Sequence, residues 1–230
     1  ASSAEALGSR EHPNVFPWTE GLPERAKDDF IILPWNDLDL VKKVVAGRHK
    51  EIAAIITEPV MCNNSCILPV EGFLEGLREI CDQYGIALIF DEVITGFRMS
   101  LGGAQQYFNV TPDLSVFAKA MGSGYPISAV AGKRKWMNLI QDARVIHAGT
   151  MNAGNPTIAA ALATIGVLEA QRPYERMFHY GQRLMDGLRR AAAAAGQNLL
   201  VQGPGPMFHM GFTHLDKVSD YRDSFSYDKA

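Results

Sequence analysis

Cysteine is scarce in this sequence. Cys62, Cys66 and Cys81 are the only three among 230 residues. An odd number, without the grouped spacing of a zinc site, argues against a disulfide framework and against a structural metal. The pattern predicts reduced thiols in a cytoplasmic protein. For the Cys62-x3-Cys66 pair, metal binding and a disulfide stay open, and packing or lining a pocket is the favoured role.

Long apolar runs and an excess of basic residues are also lacking. No run approaches the ~18–20 residues that cross a membrane, and the first residues show no signal-peptide pattern. The formal charge of −3 and the pI near 6.1 predict no binding to nucleic acid. With 47% hydrophobic residues, the chain can bury a substantial core in one or two domains.

The most informative stretch runs from Ile86 to Phe90 and ends in Asp91 and Glu92. Its apolar residues do not alternate with polar ones, which indicates a short strand buried on both faces of a parallel sheet. Ligands of open α/β sheets bind at the carboxyl ends of the strands, so Asp91 is a candidate site residue. The alternative is that Asp91 only ends the strand or pairs with a nearby base.

A second candidate is Lys119, which follows a short apolar run and precedes the glycine-rich turn Gly122–Gly124. Glycines let a backbone and a ligand approach closely. A lysine at a strand end near a buried acid is a candidate for Schiff-base chemistry. The alternative is a solvated surface lysine.

The order of elements predicts an α/β fold with a mostly parallel sheet, because strands alternate with helices. Pro173 is the expected boundary to a second, smaller domain. The predicted strands are 30–33, 52–57 (buried), 86–90, 114–118, 127–132 and 207–212. The predicted helices are 37–47 (capped by Asn36), 70–84, 134–140, 156–170 and 174–195, with one more beginning near Lys217.

Four motifs in this order resemble those of class III aminotransferases, which use pyridoxal 5'-phosphate (PLP) and have fold type I. They are Asp91–Arg98, the Gly-Gly-Ala-Gln of 102–105, the Thr-Pro-Asp-Leu of 111–114, and Lys119 before Gly-Ser-Gly-Tyr-Pro. The resemblance extends from about Pro34 to Met210 and is greatest to the glutamate-1-semialdehyde aminomutase-like branch. Family members are much longer, which implies that this chain is a fragment.

The resemblance implies a role for each matching residue. Lys119 matches the Schiff-base lysine, and Asp91 matches the acid that pairs with the pyridine nitrogen of PLP. Val93 matches the valine that packs on the ring. Thr150 matches the threonine that reaches the PLP phosphate of the neighbouring subunit, which implies a homodimer with a shared active site. Asn63 matches an asparagine near the PLP hydroxyl group.

Other matches are weaker or depart from the family pattern. Glu58, before Pro-Val, matches an acid on the substrate side. Ile94 stands where many class III enzymes carry glutamine, and an apolar residue at this position agrees with the aminomutase-like branch. The segment Met61–Cys66 replaces the small residues usual in that branch, and Met151–Pro156 differs from it in length by one residue. Arg98 and His147 could bind a substrate carboxylate or form salt bridges within the fold.

The predicted function is therefore PLP-dependent transfer of an amino group from an amino acid or related amine. An intramolecular glutamate-1-semialdehyde 2,1-aminomutase is the alternative, since it would use the same lysine and aspartate. A non-catalytic scaffold that keeps the fold is a further alternative. The resemblance implies that residues 1–172 are part of the large PLP-binding domain, without its N-terminal portion. Residues 173–230 would be a linking helix and an incomplete small domain.

Overall fold

The computed structural model describes residues 5–16 and 19–228, so the ends of the predicted domains at residues 1 and 230 lie outside it. Within the described part, the α-helices are α1 (Leu38–Arg48), α2 (Phe73–Tyr84), α3 (Gly103–Tyr107), α4 (Arg134–Gln141), α5 (Asn155–Gln171) and α6 (Tyr174–Ala194). The strands are β1 (Ala54–Thr57), β2 (Ala87–Glu92), β3 (Leu114–Phe117), β4 (Ala129–Gly132), β5 (Leu199–Gln202) and β6 (His209–Phe212). None of the helices in these ranges has the length and apolar character needed to cross a membrane.

Four strands form the main sheet in the order β1-β2-β3-β4. The β1–β2 and β2–β3 pairs are parallel, and β4 runs antiparallel to β3. Helix α2 lies between β1 and β2 in the chain, as a crossover connection requires. This arrangement confirms the predicted α/β fold with a mostly parallel sheet.

The main core lies on one face of this sheet. Leu88 and Phe90 of β2 are fully buried there. Helices α1 and α2 cover them with buried side chains from Val41, Val45, Phe73, Leu74, Leu77, Ile80 and Cys81. Helix α2 ends at Gly85, whose φ of 71° turns the chain directly into β2. The spacing of apolar residues in α2 therefore fixes which face of β2 is packed.

The opposite face of the sheet is open among the described residues. Ile56 of β1 is 63% exposed and Val130 of β4 is 42% exposed. Side chains alternate along a strand, so Ile56 lies on the face opposite the one that α2 covers. The prediction of a buried strand at 52–57 is thus wrong for one face, because no described helix covers it.

Three further predictions of local structure are wrong. Asn36 does not cap α1, because the adjacent Asp37 accepts the Leu40 N–H at 3.1 Å. The Asn36 side chain instead accepts the Val70 N–H at 2.9 Å. Residues 30–33 form no strand, since no described strand lies beside them. The helix expected near Lys217 is absent from residues 217–228, where the only helical element is a 3-10 turn at Asp223–Ser226.

The part of the chain after α5 packs around a second sheet. Strands β5 and β6 pair antiparallel, with Leu199 opposite Phe212. Arg189 of α6 donates to the Val201 carbonyl at 2.5 Å and so fixes the helix against β5. Met185 of α6 is buried at the same junction. The helix and strand predicted after Pro173 are therefore present.

Asp113 joins β2, helix α2 and the residue after β4. Its carboxylate accepts from the Leu88 N–H and Arg78 at 2.9 Å, and Lys133 lies 3.0 Å away. Burial alone would raise the pKa of Asp113, but these hydrogen bonds outweigh burial and lower the pKa to about 2. Asp113 therefore stabilises the fold in its ionised form.

We expect Asp113→Asn to lower the free energy of unfolding by about 2–3 kcal/mol near neutral pH, because two cations lose their carboxylate. The folded pKa lies below the usual value of about 3.9, so this stability is present above pH ~4 and is lost toward pH ~2. Urea unfolding from pH 7 to pH 2 measures how far the free energies of unfolding of parent and variant converge.

The control is Asp82→Asn, whose carboxylate is 64% exposed and also pairs with Arg78. It should cost less than about 0.5 kcal/mol. Equal losses for both variants would contradict this account.

Candidate active site

Two acidic residues lie side by side at the carboxyl ends of β1 and β2. Thr57 pairs with Phe90 in the parallel register. Glu58 directly follows Thr57, the last residue of β1, and Asp91 directly follows Phe90 in β2. Burial raises the pKa of Glu58, and the negative charge of Asp91 raises it further, against hydrogen bonds from Asn63 and Cys62. Two carboxylates in this position favour a proton or a cation between them.

The loop after Glu58 folds back onto its carboxylate. The Cys62 N–H donates to Glu58 Oε2 at 3.1 Å. The Asn63 amide nitrogen lies 3.4 Å from Glu58 Oε1 and 3.5 Å from Oε2. Glu58 and Asn63, both singled out from the sequence, are therefore held together.

Asp91 has its own local support. Its Oδ1 accepts the Val93 N–H at 3.0 Å, so the chain turns immediately after β2. Asp91 lies on the sheet face opposite Phe90, away from α2. Among the residues that the structure describes, no lysine, arginine or histidine forms an ion pair with Asp91 or Glu58. The site thus presents two acids without a protein cation.

Glu92 is the residue whose role the sequence did not reveal. It is fully buried, and its carboxylate accepts from the Thr95 hydroxyl at 2.9 Å and the Ala104 N–H at 2.5 Å. Gln105 donates its N–H and its side-chain amide to the same carboxylate, at 3.0 and 3.2 Å. Burial raises the pKa of Glu92 against these hydrogen bonds. Glu92 therefore positions the loop that follows Asp91.

Gly103 makes this network possible. A Cβ atom at Gly103 would overlap the Glu92 carboxylate, and its φ of +75° favours glycine. Gln105 extends the network to β3, since its side chain also donates to Ser115 Oγ at 3.1 Å. The Gly-Gly-Ala-Gln motif of residues 102–105 was the only sequence signal for this network. Nothing in the motif indicates that it contacts Glu92.

Lys119 is exposed and lies two residues beyond the end of β3. Its φ of 44° is in the left-handed region, which typically costs a non-glycine residue ~1–3 kcal/mol. Because Val116 pairs with Asp91, Lys119 and Asp91 lie at the same end of neighbouring strands. No described acid forms an ion pair with Lys119. Strained backbone of this kind is concentrated at functional sites.

Thr150 stands apart from these residues. It is exposed, in a turn where the Asn152 N–H donates to the Gly149 carbonyl at 2.9 Å. This turn leads into α5, which packs against the 3-10 turn Lys119–Gly122. Helix α5 thus lies beside the Lys119 turn, and no hydrogen bond joins Thr150 to Lys119 among the described residues.

Arg98 and His147 differ in their surroundings. Arg98 Nε is buried and has no hydrogen-bond partner among the described residues. His147 is exposed. Neither forms an ion pair with a described acid, so the salt-bridge interpretation finds no partner in residues 5–16 and 19–228.

Comparison with known proteins places the chain in a family. The family model described as aminotransferase class-III matches residues 22–225. This chain belongs to the class III aminotransferase family. The resemblance inferred from the motifs is confirmed.

Solved structures agree with this result. An ω-transaminase from Sphaerobacter thermophilus is 34% identical with a TM-score of 0.87, over 94% of this chain and 50% of that chain. A structure titled as a transaminase with PLP bound is 28% identical with a TM-score of 0.80, over 92% and 50% of the two chains. A glutamate-1-semialdehyde aminomutase from Pseudomonas aeruginosa PAO1, 24% identical with a TM-score of 0.75, covers 86% and 46% and shows the fold alone.

The chain thus spans about half the length of these proteins. Its fold is that of PLP-dependent class III enzymes, as the sequence predicted. Membership in this family implies PLP as the cofactor. The residues present fit this cofactor. Its protonated pyridine nitrogen is a cation, and Asp91 and Glu58 are acids without a cationic partner among the described residues. Lys119 supplies an amine that no described acid engages.

Proposed function

We propose that the protein is a PLP-dependent aminotransferase that acts on an amino acid or a related amine. One observation carries the proposal: Asp91 and Lys119 lie at the carboxyl ends of neighbouring parallel strands, and neither forms an ion pair in the described part. The backbone of Lys119 is also in the left-handed region. The 34% identity to an ω-transaminase supports an aminotransferase. The aminomutase alternative has support from the fold only.

When bound, PLP supplies a ring that accepts the electrons left behind when a proton leaves the carbon next to the amine. Lys119 Nζ would hold the cofactor covalently, and as a free neutral amine it would be the base that moves the proton of the substrate carbon. The Asp91 carboxylate would keep a proton on the pyridine nitrogen of bound PLP.

We assign the remaining residues to contacts around the same site. Val93 would pack on the cofactor ring, and a hydrogen bond of 3.0 Å fixes its backbone to Asp91. Asn63 would donate to the ring hydroxyl group, and Glu58 would lie toward the substrate. The shared hydrogen bonds of Glu58 and Asn63 support placing them in one site.

We propose a homodimer in which Thr150 binds the PLP phosphate of the neighbouring subunit. The exposure of Thr150 supports this role, because the residue is free to reach outward. Helix α5 gives further support, since Leu162 is 67% exposed and Val167 is 51% exposed on a helix of mostly apolar residues. A helix that is apolar all round is normally buried, so an uncovered α5 indicates a missing neighbour.

The domain division and the location in the cell are part of this proposal. We place residues 1–172 in the large cofactor-binding domain and residues 173–230 in the linking helix and small domain. Arg172, with a φ of 40°, ends α5 and Pro173 precedes α6, which supports a boundary here. The three free thiols support a cytoplasmic protein.

The test is the amine-transfer half reaction of the purified protein loaded with PLP. L-alanine and 1-phenylethylamine serve as donors, and the visible spectrum and the released carbonyl product are followed. We expect bleaching of the yellow PLP band together with pyruvate or acetophenone. An aminomutase would convert glutamate-1-semialdehyde without net release of a keto product. A folded protein that binds no PLP would be a scaffold and would overturn the proposal.

A further inference from the structure

A short loop beside Glu58 brings two cysteines opposite each other. Met61 and Ile67 exchange both backbone hydrogen bonds, at 3.0 and 3.3 Å, and so close the loop of residues 62–66. Cys62 and Cys66 are the first and last residues of this loop. A disulfide needs Cα atoms ~4.4–6.8 Å apart, and the closed loop holds its two ends near each other.

The side chains of these two cysteines interact. A hydrogen bond between the thiols lowers the pKa of Cys66, although burial and the charge of Glu58 oppose this, and the same bond with burial raises the pKa of Cys62. Cys66 Sγ also lies 3.7 Å from the Cys62 carbonyl oxygen. Met207 Sδ, 4.0 Å from Cys62 Sγ, packs against the pair. The two thiols are therefore close neighbours, and Cys66 is the one whose pKa is lowered.

Access to the pair comes from the side of the second sheet. Cys66 is only 6% exposed, but it lines an open cavity of about 730 Å³ between α6 and β5. Small oxidants can reach it from there. Cys81 provides a contrast, since it is 1% exposed in the main core, and burial raises its pKa to about 11. Reactivity of a cysteine follows thiolate character and access, so the pair should react before Cys81.

We propose that Cys62 and Cys66 are a redox modification site that forms a reversible disulfide with peroxides. The Cys66 thiolate attacks one oxygen of hydrogen peroxide, which breaks the O–O bond and leaves a sulfenic acid and a hydroxide ion. The hydroxide takes the thiol proton and becomes water. Cys62 then attacks the Cys66 sulfur, forms the S–S bond and releases a second water with its own proton. Two thiols are oxidised and one peroxide is reduced.

The disulfide would act on the proposed active site through the backbone of Cys62. Its N–H donates to Glu58 Oε2 at 3.1 Å, and the adjacent Asn63 contacts both Glu58 oxygens. Drawing Cys62 toward Cys66 moves this donor and the asparagine together. We expect the oxidised protein to hold PLP several-fold more weakly than the reduced protein, and this expectation rests on the proposed function.

Tryptic peptides separate the cysteines cleanly. Residues 51–78 hold Cys62 and Cys66 without an internal lysine or arginine, and residues 79–98 hold Cys81. After graded hydrogen peroxide and blocking of free thiols, we expect the 51–78 peptide to lose two hydrogen atoms and resist alkylation. Dithiothreitol should restore both thiols. Cys81 should stay alkylated as a free thiol throughout.

Matched variants decide the result. Cys81→Ser should leave the oxidation of the pair unchanged, whereas Cys62→Ser should convert Cys66 to sulfinic acid or a mixed adduct under the same conditions. The proposal is overturned if the folded parent gives only over-oxidised or intermolecular products, or keeps both thiols when a small free thiol added to the same sample is oxidised. Because peptide mass reports the disulfide without PLP, its failure is distinguishable from failure of the proposed function.

Discussion

Lys119→Ala is expected to abolish covalent attachment of PLP and to lower turnover by at least about 10³-fold. The variant removes the amine proposed to hold the cofactor and the base proposed to move the proton, and a positioned acid–base group alone contributes up to about 10⁴-fold. The measurement is the absorption of the dialysed protein after PLP loading, together with the initial rate of carbonyl release from the active amine donor.

Two controls separate chemistry from folding. Lys119→Arg keeps the positive charge but cannot act as a neutral amine, so it should fail like the alanine variant. Lys135→Ala removes an exposed lysine of α4 that lies 5.0 Å from the Trp136 ring centre and outside the proposed site. It should keep the yellow band and the rate. Undiminished turnover of Lys119→Arg would contradict the assignment.

Asp91→Asn is expected to lower turnover by about 10²-fold or more, the scale of losing one preorganised electrostatic group. Asparagine keeps an oxygen that can accept the Val93 N–H, which Asp91 Oδ1 accepts at 3.0 Å. The turn should therefore persist, while the charge proposed to hold a proton on the ring nitrogen is lost. The measurement is the rate of the amine half reaction at saturating PLP, with the PLP dissociation constant determined in parallel.

The matched control is Asp142→Asn, at an exposed residue after α4. It removes the same charge at a distance from the strand ends and should change neither rate nor affinity. If Asp91→Asn retains the parent rate while Lys119→Ala loses it, Asp91 has no role in holding the ring proton.

The sequence predicted the central elements of the fold because their local signals agree with their tertiary surroundings. The apolar run before Asp91 forms β2, and the 3.6-residue periodicity of α2 places Leu77 and Ile80 in the core. The open face of β1 was beyond such reasoning. Ile56 is as apolar as a buried residue, and its 63% exposure depends on which elements lie beside the sheet.

The candidate site was predictable to a different degree for each residue. Asp91 and Lys119 follow apolar runs, so their positions at strand ends could be read directly, while their roles stay predictions. The function of Glu92 could not be read, because its partners Ala104 and Gln105 come from a loop that closes only in the folded chain. The left-handed backbone at Lys119 likewise has no signature in residue type.

The most direct test of the central claim is to reduce the PLP-loaded protein with borohydride and map the modified residue. Trypsin cannot cleave after a lysine that carries a phosphopyridoxyl group. The account predicts a single labelled peptide of residues 99–133, uncleaved at Lys119. A label on any other lysine, or no label on a folded protein saturated with PLP, would contradict it.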